Sequence, residues 1–332
     1  MPHPNRSDHT TSRMATVIPR PLSCKISLFP GPRQTGIRCD TVLKIDCRRN
    51  AAGHGDGGRL TADQNEPRLA AGMTAGQAAP RVLTAGAREF GRSLAQLLAS
   101  DDPDGPHKSR VALRRLRAAL IAFKPIIGPD LLAALTARLK GYFKVIGQVR
   151  DADVLAHDVA GAGNQDQLQA EADRVRRKVR KRLLHQRADR VAAFVEKRFG
   201  GKDWQRRTST AKALRHAPVT GLAAAALDRN WSKCLSHGLN LVSLTAPERH
   251  ELRKALKTFR YLCEYFSGLW PGDQAQAFLA ALRNLQEDLG SLNDLAMARA
   301  RGLSVGDASE GPTLHRAAAA WARLAACGRW WG

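Results

Sequence analysis

Two histidines each open a row of basic residues at helical spacing: His107, Arg110, Arg114 and Arg117 in one stretch, His250, Arg253, Lys257 and Arg260 in another. At about 100° per residue, Arg110, Arg114 and Arg117 fall roughly 300°, 340° and 280° round the helix from His107, a sector about 80° wide. Leu113, Leu116, Leu120 and Phe123 fall on a different face and are candidates for a core; Leu252, Leu256, Phe259 and Phe266 do the same in the second stretch. Spacings of three and four set neighbouring side chains roughly 5–6 Å apart, where like charges repel by a few tenths of a kcal/mol per pair. An acid four residues on relieves few of these pairs, so something else must offset the repulsion. A string of phosphates would do so, because a guanidinium takes two phosphate oxygens in a fork. The histidines lie near the first helical turn, after Pro106 and Pro247, where free N–H groups and the helix dipole also favour anions. A histidine facing phosphate should have its pKa raised.

The two rows belong to a longer repeat. An offset of 143 carries His107 onto His250, Arg110 onto Arg253, Arg114 onto Lys257, Arg117 onto Arg260 and Phe123 onto Phe266. It also carries Gly147 onto Gly290 and Asp151 onto Asp294, and across 107–124 against 250–267 it leaves 6 of 18 positions identical without a gap. One offset serving motifs some 40 residues apart reads as an internal duplication. The matched acids Asp151 and Asp294 are expected to form structural salt bridges that hold the basic residues. A metal role shared with Asp153 is the weaker alternative, because the second copy has Ala296 there.

The elements that must position these rows are helices. From about residue 80, Val82, Leu83, Ala87, Phe90, Leu94, Leu97 and Leu98 recur at threes and fours. Further helices are expected over about 107–124, 131–159 and 167–199, with counterparts near 223–240, 250–267 and 311–331. Period-two strands are not evident. The reading is all-α: two four-helix bundles related by a pseudo-two-fold duplication, repeat one spanning about 80–218 and repeat two about 219–331. The last helix of repeat one holds nine bases in 17 residues, and its likeliest row toward a shared site is Arg174, Arg177, Lys178 and Lys181. Trp204, Trp231 and Trp321 read as core or interface residues.

Composition fits a polyanion partner. Lys and Arg number 53 against 30 Asp and Glu, a net charge of +23. Residues 1–75, rich in Pro, Gly and Ser without periodicity, read as a disordered tail; without residues 1–72 the remainder still carries +18. The charge therefore belongs to the folded part. Cys24, Cys39, Cys47, Cys234, Cys263 and Cys327 form no metal-like or C-x-x-C spacing and read as reduced thiols of a cytoplasmic protein. A membrane span and a signal peptide are not expected.

The motifs His107-x-x-Arg110-x-x-x-Arg114-Arg115-x-Arg117, His250-x-x-Arg253-x-x-x-Lys257-x-x-Arg260-Tyr261, Gly147…Arg150-Asp151 and Leu289-Gly290…Asn293-Asp294 resemble the CHAD family of helical domains. The resemblance covers about residues 80–331. It implies two four-helix bundles about a basic cleft, and it adds Arg115 to the candidate residues. It further implies inorganic polyphosphate as ligand and association with polyphosphate or polyhydroxyalkanoate granules. Family members often carry a CYTH triphosphatase domain marked by Glu-x-Glu-x-Lys; that motif does not occur here, so a binding module without enzymatic activity, metal or cofactor is expected. Nucleic-acid binding and phosphoanhydride hydrolysis stay open as alternatives. The first fits the charge but lacks a reading motif and aromatics for stacking; the second would need carboxylates that are scarce near the rows.

Overall fold

Apolar residues spaced at threes and fours can be buried only helix against helix, and the computed structural model does so throughout residues 69–158, 165–270, 272–300 and 310–332, the residues it describes. The helices are α1 (Ala75–Ala99), α2 (Asp104–Phe123), α3 (Pro129–Asp158), α4 (Gln165–His185), α5 (Val191–Gly200), α6 (Ser209–His216), α7 (Val219–Leu235), α8 (Ala246–Phe266), α9 (Gln274–Ala300) and α10 (Glu310–Ala326). No strand occurs among the described residues. Of the tail expected over 1–75, residues 1–68 lie outside the described part, as do Cys24, Cys39 and Cys47. Its end is ordered: Leu69 is buried, and Thr74 caps α1 in a reciprocal capping box with Gln77.

α2 packs on α1 and α3, α8 packs on α7 and α9, and α2 and α8 pack on each other. The offset of 143 carries the bounds of α2 to within a residue of those of α8 and the bounds of α3 close to those of α9. Matched Phe123 and Phe266 meet edge to face with ring centroids 6.1 Å apart. One apolar cluster runs from Val82 and Phe90 of α1 through Leu116 and Phe259 to Trp321, so the halves share a single core.

Two expected helices differ. The span 167–199 is broken in two: Arg187 adopts left-handed φ of 56°, and the Tyr142 hydroxyl donates to the Gln186 carbonyl at 3.0 Å. The break redirects the chain, because α4 packs on α3 whereas α5 packs on α1. The final helix stops at Ala326 rather than near 331, and the tail brings Trp331 (2% exposed) against Phe259 and Phe278, with its indole N–H donating to Asp228 at 2.9 Å. Trp204, Trp231 and Trp321 are buried, Cys234 and Cys263 are buried free thiols, and no helix among the described residues is long and apolar enough to cross a membrane.

Candidate polyanion-binding site

The two basic rows face each other's electrostatic field. Arg114 of α2 perturbs His107 and Arg110 of its own helix and also Arg253 and Lys257 of α8; Lys257 in turn acts on His107. Arg114 is thus the hub of a cluster drawn from both halves. Its Nε donates weakly to the Arg110 carbonyl at 3.4 Å, and its guanidinium stands 5.8 Å from the Phe143 ring.

Matched glycines lie beside the first arginine of each row, and at Gly147 the arginine needs the missing side chain. Arg110 lies over Phe143 at 4.1 Å and donates to that residue's carbonyl at 3.3 Å, and a Cβ on Gly147 would collide with its Nη1. On the other side a Cβ on Gly290 would stand 3.5 Å from Arg253. Burial, and then Arg114, lower the pKa of Arg110. Burial lowers that of Arg253 too, against the opposing pull of Asp294.

Lys257 bears the strongest effect. Burial first, then Arg253, Arg114 and Arg260, depress its ammonium from the ordinary 10.5 to about 7, with Asp294 opposing. No carboxylate pairs with it among the described residues. The Nε atoms of Arg253 and Arg260 are also buried without a hydrogen-bond partner. Unpaired buried donors on cations are costly, and an anion's oxygens would satisfy them.

The histidines are held differently. His250 Nδ1 lies 2.6 Å from Asn293 Oδ1, while Asn293 Nδ2 donates to Asp294 at 3.2 Å. Because the amide nitrogen is turned to the carboxylate, Nδ1 carries the proton and Nε2 is left for a ligand. His107 is exposed as a residue, yet partial desolvation of its imidazole, then Arg150, Arg114 and Lys257, lower its pKa, with Asp104 opposing. The rise expected of a phosphate-facing histidine is therefore reversed in the ligand-free cluster, since the same Coulomb term acts with neighbouring cations in place of an anion.

Several expected residues lie elsewhere. Arg115 points to α1 and α8, with Nη1 3.7 Å from Glu89 and its guanidinium 5.7 Å from the Tyr265 ring, so it braces helices rather than joining the row. Arg117 is half-buried at the row's end, and Arg260 is held by Glu264 at 2.9 Å and covers the Tyr261 ring at 5.0 Å. Asp151 and Asp294 are exposed and make no direct ion pair among the described residues; they favour the charged forms of Arg110 and Arg253 from a distance. The buried bridge is instead Asp153 to Arg176 at 2.7 Å, their side chains 9% and 5% exposed. Arg174, Arg177, Lys178 and Lys181 are exposed on α4, Arg174 pairing with Glu171 at 3.0 Å. The groups that perturb His107, Arg110, Arg253 and Lys257 come from α2, α3, α8 and α9, and α4 is not among them. Arg180 of α4 anchors the end of α1, donating to the Leu97 carbonyl at 2.8 Å and to that of Ser100, while Arg176 reaches the Asp102 carbonyl just beyond it at 3.5 Å. Among the described residues no trio of His, Cys, Asp or Glu is arranged to hold a metal.

Sequence reasoning quoted Arg150 and Asn293 in the matched motifs but gave them no place in the site, whereas Arg150 acts on His107 and Asn293 bonds His250. The signal was their place three residues after the matched glycines, one helical turn along the same face.

Fold and site together define an all-helical domain in which α2 and α8 bring a cation cluster together. The CHAD domain family matches residues 81–302, about two thirds of the sequence, and this chain is a CHAD-domain protein. Among solved structures it is similar to the CHAD domain from the plant Ricinus communis, at 23% identity and a TM-score of 0.56, covering 76% of this chain and 87% of that one. PptA from Streptomyces chartreusis is more distant, at 18% identity and a TM-score of 0.42, covering 75% of this chain and 94% of that one. No curated protein matches this sequence.

Proposed function

We propose that the domain binds inorganic polyphosphate across α2 and α8 and does not turn it over. The observation that carries this reading is Lys257: a half-buried ammonium among Arg114, Arg253 and Arg260, without a paired carboxylate. An electrostatically strained cluster of this kind is relieved by a ligand that is anionic and repeats its charge. Polyphosphate is that ligand chemically, and it is the one the family resemblance implies.

Nucleic acid is the second reading, and two rings weigh against it. Phe143, beside the rows, has one face covered by Arg110, and Tyr261 is buried beneath Arg260, so the cluster offers little aromatic surface for base stacking. Hydrolysis has less support still, since Asp151 and Asp294 stand singly, one per half, and phosphoryl transfer relies on clustered charge to hold Mg²⁺.

The test is competitive titration of defined-length polyphosphate against DNA and RNA over a salt series. With about four cations engaged, log K should fall with log salt at a slope of roughly −3. Arg114→Glu should cost about 3 kcal/mol, from a lost charge-assisted bond and an added repulsion. Nucleic acid displacing polyphosphate at equal phosphate concentration would reverse the assignment. Granule association belongs to the same proposal: a fluorescent fusion should co-localise with granules, and Arg114→Glu should disperse it.

A further inference from the structure

A second basic surface lies on the other flank of α8. Lys254, Thr258 and Glu251 fall roughly 40°, 80° and 100° round that helix from His250, whereas Arg253, Lys257 and Arg260 fall roughly between 280° and 340°. One helix thus presents charge to two faces. The second face lines an open groove of about 820 Å³ between α8, α7 and the segments flanking α3 to α6.

Cations reach this groove from separate parts of the chain: Lys124 from the turn that ends α2, Arg206 from the loop before α6, Arg229 and Lys233 one turn apart on α7, and Lys254 on α8. The sole acid in the lining is Glu251, which Lys254 engages at 2.5 Å. Lys124, Arg206, Arg229 and Lys233 make no ion pair among the described residues. Arg206 does not sit on a loose strand of backbone. Its N–H donates to the Ile126 carbonyl at 2.9 Å, its own carbonyl accepts from Arg215 at 2.6 Å, and the Gly128 N–H donates to the carbonyl of buried Trp204 at 2.7 Å. The loop is therefore fixed against the turn that carries Lys124, and the order of those cations is set before any ligand arrives.

The geometry points to a second anion site in this groove, for a compact ligand carrying several phosphates, separate from the row on α2 and α8. Cations in a line suit an extended chain; cations that surround a volume from several elements suit an anion whose charges are clustered. The volume falls within the roughly 300–1,000 Å³ of small-ligand pockets. The site stands whether or not the row binds polyphosphate, because the two share no cation.

Calorimetric titration with inorganic triphosphate, and in a parallel arm with inositol hexakisphosphate, tests it on the intact chain. Arg229→Glu with Lys233→Glu, both exposed and so compatible with folding, should weaken these compact ligands by about tenfold or more while long polyphosphate binding changes by less than about threefold. Arg114→Glu should show the reverse pattern. Either ligand behaving so supports the site, and the tighter of the two names its source as inorganic or organic. Three results overturn it: groove variants that bind both compact ligands as the wild type does, an Arg114→Glu variant that loses both, or an equal loss in the remote double reversal Lys140→Glu with Lys197→Glu, which would reduce the effect to net charge.

Discussion

Binding of polyphosphate should draw a proton from solution, and the lysine at the centre of the cluster sets how much. With the Lys257 ammonium near 7 in the free protein, only about a tenth of molecules carry that charge at pH 8. A phosphate chain beside it restores the charged form toward the ordinary value of 10.5, so each binding event takes up ~0.9 proton at pH 8 and ~0.5 at pH 7. Affinity should accordingly rise by nearly tenfold for each unit of falling pH around pH 8, flattening below about pH 7 until His107 begins to charge. The assay is titration calorimetry at fixed pH in two buffers of different ionisation enthalpy; the difference in observed heat gives the proton count directly. Lys257→Arg keeps the positive charge but cannot lose it in this range, so its uptake at pH 8 should fall to near zero while polyphosphate still binds. Wild-type binding with no proton uptake at pH 8 would refute the reasoning, and so would an uptake that Lys257→Arg leaves intact. The linkage also has a sign in the absence of ligand. Between about 7 and 10.5 the unfolded chain holds a proton on Lys257 that the folded chain has released, so folding stability should rise with pH across that window, and saturating polyphosphate should oppose the rise.

Other expectations follow from the same contacts. Arg114→Glu removes like-charge repulsion with four neighbours, so the ligand-free domain should gain about 1 kcal/mol, or roughly 2–4 °C in Tm by scanning calorimetry, even as polyphosphate binding is lost; a lower Tm would contradict the cluster. Gly147→Ala should push Arg110 off Phe143 and weaken polyphosphate several-fold, whereas Gly290→Ala meets only ordinary contact at 3.5 Å and should leave affinity unchanged while adding up to about 1 kcal/mol of helix stability. Equal effects of the two alanines on affinity would show that Gly147 does not seat Arg110. Asp153→Ala strands the buried Arg176 and should cost about 3–5 kcal/mol in denaturant unfolding, most of it recovered by adding Arg176→Met; an unchanged midpoint for the single variant would show the bridge to be idle.

The periodicity of apolar residues determined the helical class and which face of α2 and α8 is buried, because burial at threes and fours has one regular solution. The offset of 143 determined the matched residues as well, and it singled out Gly147 and Gly290 before any reason for them was visible. What a helical wheel lacks is the neighbouring helix. It could not show that Arg115, adjacent to the hub in sequence, turns to Glu89 on α1, or that Arg176 is buried against Asp153 while Asp151 makes no ion pair among the described residues. Nor could it separate His250, locked by Asn293, from His107, left among cations. The break at Arg187 was equally hidden, because the apolar spacing runs on through it and only the different partners of α4 and α5 require the turn. Charge on Lys257 was the tertiary structure's decision: a depressed ammonium depends on which cations surround it and how little water reaches it, and both are properties of packing between elements far apart in the chain.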